Sequence, residues 1–426
     1  MKRFFLLLFV VAVIDLQAVT MSDLFHAIKQ QPSSQLDSIR TKMAQIGKDQ
    51  VRANYFPVVN GFAAYTHYNS PTNMKPLDPL NAAKLMGDNK SIPFAKTIQK
   101  FGVHLSVPLF VKELSDLSHK AAYLLKSAKL RKKLNFYQNE ALVLGANANL
   151  QYLQNLTQAL EATKRSLMST KKTLEVSVNS GRTPAIALDK LDEKLNQLDI
   201  ALNNVAIKSL QIRGSIENLT GITLKDAVPM ESIATVQKHE LYALKPLQEA
   251  IHASQSDLKA AQAKRYYPKV TLSGLWSENY APHDVFKNDS VHTGYGYYEL
   301  GVSLPLYNKN GDVAVEMKQV AILKEKMQLA KTKNALQIEA KELENNLVLL
   351  KRSQKLNRLN IQKRKALLQY AKVAYQEGRM IEEDYLNYED KLLSAKASYF
   401  ETISQEWQSR AKLAVLYGND LKGIVR

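Results

Sequence analysis

The residues best suited to catalysis or metal binding are scattered along this 426-residue chain. Three of the eight histidines, His67, His283 and His292, fall in expected loops without the spacing of metal ligands. The chain has no cysteine, which excludes disulfides, thiolate metal sites and an acylated cysteine as a lipid anchor. No glycine-rich phosphate loop follows a strand pattern. We therefore expect no catalytic residues, no cofactor and no metal, and we interpret the protein as a non-enzyme.

The formal net charge of +18 could suit a nucleic-acid-binding protein. However, basic clusters such as residues 129–133 and 351–365 fall inside helical patterns with leucines between the charges. That arrangement is typical of a solvated helix face, and no motif of a nucleic-acid-binding module accompanies it. We therefore expect no nucleic-acid partner.

The first residues have the pattern of a secretory signal. Lys2 and Arg3 precede an apolar run over residues 4–13, and the small residue Ala18 follows. This predicts a signal peptide over residues 1–18, and a buried N-terminal strand is the alternative. No later stretch resembles a membrane helix, so any insertion into a membrane must use strands.

Landmarks of the first half recur in the second half at a constant spacing of 197 positions. The pairs are Pro108 and Pro305, Gly181 and Gly378, and Gly221 and Gly418. Upstream, Pro57 recurs as Pro268, so 14 extra residues lie in the first half, in an expected loop over residues 69–93. We expect a first structural repeat over residues 19–221, a connector in the equatorial region over 222–238, and a second repeat over 239–426.

Both repeats show the same order of elements. A helix leads to a Tyr-rich proline turn, two strands, a very long helix, a glycine turn and a shorter helix. The first helices are expected over residues 21–54 and 241–265, and the very long helices over 112–178 and 312–375. About 65 residues of helix is roughly 100 Å, more than a compact domain needs.

The shorter helices carry apolar stripes of the kind that pack helix against helix. From Leu188 to Leu219, apolar residues step by three and four with Ser209 as the exception, which predicts a coiled-coil seam. Residues 386–416 carry two stripes, which indicates neighbours on two sides. Gly181 and Gly378 then mark the tips of two helical hairpins, because glycine supplies the left-handed conformation of a helix end.

Four short segments alternate apolar and polar residues, as membrane-spanning strands do. They cover residues 58–68, 103–107, 269–277 and 297–304, of which the first is the weakest. A soluble sandwich is the alternative for any one strand taken alone. Because four strands cannot close a barrel, several chains must combine, and a water-filled conduit favours at least three copies with twelve strands. Aromatic residues expected at the membrane interfaces are Tyr65, Trp276, Tyr280 and Tyr295.

Taken together, the duplicated order and two phrases resemble the TolC-like outer membrane factors over nearly the whole mature chain. The phrases are Ala260-Ala261-Gln262-Ala263-Lys264-Arg265-Tyr266-Tyr267-Pro268 and Gly181-Arg182-Thr183-Pro184. The resemblance implies a mixed membrane protein: a homotrimer with a twelve-stranded β-barrel in outer-membrane lipid and a periplasmic α-helical coiled-coil tunnel. It also implies opening by untwisting of the tip helices on engaging a periplasmic adaptor and an inner-membrane pump.

The resemblance also assigns residues to a periplasmic gate. Tyr375 matches a tyrosine before the second glycine turn, and Asp384 matches the first acid of a pore ring. The place of the second acid holds Asn387, and that of an arginine after the glycine holds Met380, next to Arg379. The expected gate residues are Gly181, Arg182, Tyr375, Gly378, Arg379, Glu383, Asp384 and Asn387. The alternative for Glu383 and Asp384 is a helix N-terminal acid favoured by the dipole.

These features predict an outer-membrane channel subunit with a periplasmic helical extension, which is the exit duct of a tripartite efflux pump or a type I secretion system. The alternative is a periplasmic coiled-coil adaptor or scaffold protein. That alternative explains the hairpins and the signal, but not the four strands with aromatic ends.

Overall fold

The computed structural model describes residues 19–426, and the expected signal peptide lies outside the described residues. The described chain forms two compact units. The first contains the residues up to Ser38, Arg131–Leu244 and Thr332–Arg426, and the second contains Ile39–Leu130 and Lys245–Lys331. Each unit therefore takes segments from both halves of the chain.

The described residues are mostly helical, with four strands. In chain order the helices are α1 (Met21–Ile28), α2 (Pro32–Ala53), α3 (Pro79–Gly87), α4 (Lys112–Asn179), α5 (Ile186–Thr220), α6 (Lys245–Tyr266), α7 (Lys309–Gln376) and α8 (Glu382–Tyr417). The strands are β1 (Val58–Asn73), β2 (Phe94–Val111), β3 (Lys269–Ala281) and β4 (Val291–Ser303). None of the described helices combines the length and apolarity that crossing a membrane requires.

The backbone conformation repeats at the same spacing of 197 positions as the sequence landmarks. Helices α4 and α7 each have 68 residues, and both their starts and their ends lie 197 positions apart. Among the described residues, the glycines with positive φ fall into the same pairs. They are Gly181 (+73°) with Gly378 (+71°), and Gly221 (+72°) with Gly418 (+73°). The two halves therefore turn at equivalent points.

The second unit contains a four-stranded antiparallel sheet in the order β1-β2-β3-β4. The strands are longer than the sequence predicts, and the expected loop over residues 69–93 is wrong in part. It contains the end of β1 and helix α3, which begins after Asp78, whose side chain accepts from the Asn81 N–H. In the same unit, Asp257 joins Lys120 at 2.8 Å and Lys318 at 2.7 Å, which ties α6 to α4 and α7.

The expected helix over residues 21–54 is two helices, α1 and α2. The break falls at residues 29–31, immediately before Pro32, because proline has no N–H to continue the ladder of α1. The side chain of Ser34 donates to the Ile28 carbonyl at 2.7 Å across the break. Helix α1 starts with a capping box between Thr20 and Asp23.

The first unit has two main apolar cores. One joins α4 to α5 through residues spaced by seven, as in a coiled coil: Leu153, Leu160, Leu167 and Leu174 with Leu191, Leu198 and Val205. The predicted seam of α5 is confirmed, since none of its positions is fully exposed. The other core gathers α1 with the C-terminal residues Leu421, Ile424 and Val425. The connector joins this core, where Asn147 exchanges two hydrogen bonds with the Val228 backbone, both 2.8 Å long.

Candidate functional site

The strand registers place most of the apolar residues of the four strands on one face of the sheet. Gly61 pairs with Val103, Val103 with Trp276 and Trp276 with Gly296, and side chains alternate between faces along each strand. The apolar face includes Val59, Ala63, Phe101, Val103, Leu105, Val107, Val270, Leu272, Trp276, Tyr298, Leu300 and Val302. The pairing thus shows which residues of β1 lie on this face, although the alternation of β1 is weak in the sequence.

This apolar face is exposed in the single chain, and the opposite face is largely polar. Tyr298 is 88% exposed and Val302 66% exposed. The opposite face contains Asn60, Thr66, His104, Ser106, Thr271, Ser273, Ser277, Glu299 and Ser303, together with the apolar or aromatic residues Phe62, Leu275, Tyr295 and Tyr297. The sheet therefore has one surface suited to an apolar environment and one suited to water.

Three of the four predicted interface aromatics lie on the apolar face. Tyr65 and Tyr280 both pair with Gln99, and Trp276 lies four residues before Tyr280. Tyr295 instead pairs with Ser277 on the opposite face, so the structure places it away from the apolar band. The reason is that β4 begins at Val291, which puts Tyr295 inside the strand where alternation decides its direction.

A second group of exposed aromatics lies at the other end of the strands and was not predicted from the sequence. It consists of Tyr55, Phe56, Tyr266, Tyr267 and Tyr307. The Tyr-rich proline turns before β1 and β3 were the available signal. From Lys269 to Trp276, β3 advances about 23 Å at 3.3 Å per residue, close to the height of an outer-membrane apolar band.

The two edges of the sheet are open within the described chain, because β1 pairs with β2 alone and β4 with β3 alone. Each edge therefore presents backbone N–H and C=O groups without strand partners.

In the first unit, the two hairpin tips close in the same way. The Arg182 N–H donates to the Ser177 carbonyl, and the Arg379 N–H donates to the Ala374 carbonyl, both at the glycine turn. This is the six-residue closure of a Schellman motif, which requires the left-handed residue that Gly181 and Gly378 supply.

The two tips differ in charge at the start of the following helix. The first turn of α8 contains Glu382, Glu383 and Asp384. The corresponding positions of the first tip hold Ala185, Ile186 and Ala187. Glu383 lies 3.7 Å from Lys190 and is 78% exposed, and both Asp384 and Asn387 are exposed. The acidic cluster therefore belongs to the second tip.

Tyr375 is held against the start of α8. Its ring stacks on Tyr385 with centroids 5.0 Å apart and planes 12° apart. Burial, together with the nearby Glu382 carboxyl, raises the pKa of Tyr375 to about 12. Burial also raises the pKa of Glu382 to about 7, opposed by the positive charge of Lys190. Glu382 therefore changes charge near neutral pH.

A buried polar network joins α4 to α8 about two to four helical turns from the tips. Glu389 is 2% exposed and accepts from Ser166 Oγ at 2.7 Å and from Tyr385 OH at 3.0 Å. The Tyr385 hydroxyl also lies 3.3 Å from Thr170 Oγ1. Sequence reasoning missed Tyr385 and Glu389. The signal was a polar pair four residues apart on α8 opposite a similar pair on α4.

The remaining predicted gate residues lie at the surface of the tips. Arg379 pairs with Glu377 at 3.3 Å and is 78% exposed, and Arg182 lines a cavity of about 600 Å³ between the tips together with Tyr375 and Gly378. The pair Lys194–Asp390 at 2.6 Å links α5 to α8 nearby. Within residues 19–426, no group of three or more His, Asp or Glu is arranged to hold a metal ion.

No model of a known protein family and no curated protein sequence matches the chain. Solved structures do match its fold. The outer membrane protein VceC from Vibrio cholerae has 16% identity and a TM-score of 0.77, covering 94% of this chain and 96% of VceC. The MtrE outer membrane channel of Neisseria gonorrhoeae, in its open state, has 14% identity and a TM-score of 0.73, covering 95% and 90%. A Pseudomonas aeruginosa membrane protein has 13% identity and a TM-score of 0.79, covering 95% and 91%.

The chain therefore has the fold of TolC-like outer membrane channels, and the resemblance predicted from the sequence is confirmed at the level of the fold.

Proposed function

We propose that the protein is a subunit of a trimeric outer-membrane channel that forms the exit duct of a tripartite efflux pump or a type I secretion system. The observation that carries the proposal is a four-stranded sheet with an exposed apolar face and two open edges. An apolar face of this kind is unfavourable in water and favourable against lipid. The fold shared with outer membrane channels supports the same placement.

The open edges favour assembly into a closed barrel, because lipid tolerates no unpaired backbone groups. The strands alternate in direction, so β4 of one copy would run antiparallel to β1 of the next. Two copies would give eight strands, whose interior side chains fill, whereas three give twelve and leave room for water. The polar face of the sheet would then line the conduit.

Helix α7 supports a neighbour beside the helical part as well. Much of its apolar surface is exposed in the single chain, including Leu349, Leu356, Leu359, Leu367, Tyr370 and Val373. Apolar residues at these spacings form a stripe that packs against another helix. A second copy of the chain would cover this stripe, and three copies would build a helical tunnel.

The tips supply the proposed gate. A ring of three Asp384 carboxylates would attract cations and repel anions at a constriction. The proposed location is the outer membrane, with the helices in the periplasm, where the tips would meet an adaptor protein and an inner-membrane pump.

The test is the assembly state and conductance of the full mature chain in detergent. We expect native mass spectrometry to give three copies and planar bilayers to show stepwise ion currents that a heat-denatured sample lacks. A monomer without currents, in which a water-soluble quencher reaches Trp276 freely, would overturn the proposal.

The second candidate is a periplasmic coiled-coil adaptor or scaffold, favoured by the two helical hairpins. Membrane extraction separates the two. High salt would release an adaptor from outer membranes, whereas an inserted barrel requires detergent.

A further inference from the structure

The last part of α7 is strongly basic and has no acidic counterpart in the described chain. From Asn345 to Gln376 the sequence contains no Asp or Glu and eight basic residues. They are Lys351, Arg352, Lys355, Arg358, Lys363, Arg364, Lys365 and Lys372. None of the eight forms an ion pair within residues 19–426, although the lysines of the first hairpin do, as in Lys164–Asp199 and Lys171–Asp192. These charges are therefore available to an acidic partner outside the chain.

Three of these residues form a line, which we call the basic line: Lys351, Arg358 and Lys365. They are seven residues apart and all exposed, and residues spaced by seven share one side of a helix. Exposed Lys355 and Gln362 add a second column at four-residue steps. The spacing is that of a coiled-coil seam, but its side chains are polar and cationic.

The same side of α7 is covered by the connector immediately before the basic line. Glu344, seven residues before Lys351, accepts from Lys238 Nζ at 2.6 Å and from Tyr417 OH at 2.9 Å. Val236 packs beside Leu343 in the same cluster. A conduit must keep its axis free, so a connector that crosses its wall lies on the outer side. The basic line then faces outward too, and this step rests on the proposed function.

We propose that the basic line is a docking surface for an acidic helix of a soluble partner protein in the periplasm. The seven-residue spacing fits a helix that lies alongside α7, and the sign of the charge requires Glu or Asp at its contact positions. Within the chain, the connector already attaches to this side through the opposite pairing, Lys238 with Glu344. A polar seam holds its partner more weakly than an apolar one, which suits reversible docking.

The surface is separate from the tip. Lys365 and Lys351 lie 13 and 27 residues before Gly378, which is about 20 and 40 Å along the helix at 1.5 Å per residue. Like charges three and four residues apart destabilise an isolated helix, so an acidic partner would also relieve repulsion within α7. An adaptor that engages the tips would leave this second contact free.

The test uses the full mature chain in detergent and two labelled alanine-based peptides of about 28 residues. In one peptide the glutamates step by three and four along one side, and in the other the same number is spread around all sides. By fluorescence anisotropy at roughly 50 mM salt, we expect the one-sided peptide to bind about tenfold more tightly. The variant K351Q/R358Q/K365Q should lose that difference, and K324Q/K331Q/K341Q should keep it, since both remove three charges from α7.

A charge-swap variant gives an independent check. K351E/R358E/K365E should bind a one-sided lysine peptide and lose the glutamate peptide. Equal binding of the two glutamate peptides would show general attraction of anions and overturn the docking surface.

Bilayer recordings separate this inference from the proposed function. If K351Q/R358Q/K365Q changed the ion selectivity of the channel, the basic line would face the conduit and the docking surface would be wrong, although the channel function would stand. If the wild-type chain gave no current, the proposed function would fail. One-sided peptide binding would then still support a docking surface on α7.

Discussion

Helices α4 and α7 occupy equivalent places in the two halves and bury very different fractions of their apolar side chains. Both have 68 residues. In α4, Leu144, Leu150 and Leu167 are completely buried within the chain. In α7, Leu356 is 57% exposed and Tyr370 is 74% exposed. The first long helix therefore belongs to the core of its own chain, whereas the second exposes much of its apolar surface in the single chain.

The difference extends to charge and to the tips. Several lysines of the first hairpin have acidic partners, such as Lys164 and Lys171, and the basic line of α7 has none among the described residues. The three acids Glu382 to Asp384 of the second tip correspond to alanine and isoleucine at the equivalent positions of the first tip. The two halves thus share a backbone plan, while buried contacts are concentrated in the first long helix and exposed apolar and basic side chains in the second.

The largest expected effect separates assembly from folding. The double substitution Leu356→Glu with Leu359→Glu in α7 should abolish the trimer and leave helix content unchanged, because both side chains are exposed in the single chain. Leu160→Glu in α4 should instead prevent folding, since a buried unpaired charge costs on the order of 4 kcal/mol or more. Native mass spectrometry and circular dichroism measure the two outcomes. A trimer that survived the α7 substitutions would contradict the contrast.

The second prediction concerns a buried acid of α4. Glu140 is completely buried, and burial, with the nearby negative Asp420, raises the pKa of its carboxyl from 4.5 to about 8. The equivalent residue of α7 is Gln337, which is exposed. Because the folded state favours the protonated acid, the contribution of Glu140 to stability is most favourable below pH 4.5, falls as the pH rises towards 8, and is least favourable above it.

Glu140→Gln replaces this acid with the residue of the second half and should remove that loss. At pH 9 the variant should be more stable than the wild type by about 3 to 5 kcal/mol, at about 1.4 kcal/mol per pKa unit, and near pH 4 the two should be equal. Denaturant unfolding in detergent at both pH values measures the difference. An equal effect at pH 4 and pH 9 would mean that ionisation of Glu140 is not the cause.

Much of the fold could be predicted because the duplication and the helical periodicity are visible in the order of residue types along the chain. The constant spacing between Gly181 and Gly378 marks turns that need a left-handed residue, and the seven-residue steps of Leu191 and Leu198 mark a seam. The ends of the strands could not be predicted in the same way. Ala95 and Ile98 of β2 form a small apolar cluster with Met74 and Ala281, which are far away in the sequence.

Less of the candidate gate than of the fold could be predicted from the sequence. Positions near Gly378 could be selected by their distance from the turn, but burial decides their chemistry. Glu382 and Glu383 are adjacent and identical in type, yet burial raises the pKa of Glu382, whereas the side chain of Glu383 is 78% exposed. Glu389 is a core residue because Ser166 and Tyr385 lie opposite it, which depends on the packing of α4 against α8.

The third prediction compares two acids at equivalent positions, Glu389 and Asp192. Glu389→Ala should lower stability by about 1 to 3 kcal/mol, because Ser166 and Tyr385 lose their buried acceptor. Asp192→Ala removes a surface ion pair with Lys171 and should cost less than about 1 kcal/mol. Thermal unfolding in detergent measures both. Equal losses would mean that the buried network adds nothing beyond a surface pair.

The smallest expected effect is electrical and tests the acids of the second tip. Asp384→Ala gives the second tip the residue found at Ala187 of the first, and it should change cation preference or block by divalent cations about twofold in planar bilayers. Glu401→Ala removes an exposed acid of the same helix away from the tip and should leave the currents unchanged. If Asp384→Ala also left them unchanged, Asp384 would lie outside the constriction. Its remaining role would then be favourable interaction with the α8 dipole, worth at most about 1 kcal/mol of stability, and the tips would differ in charge without differing in ion passage.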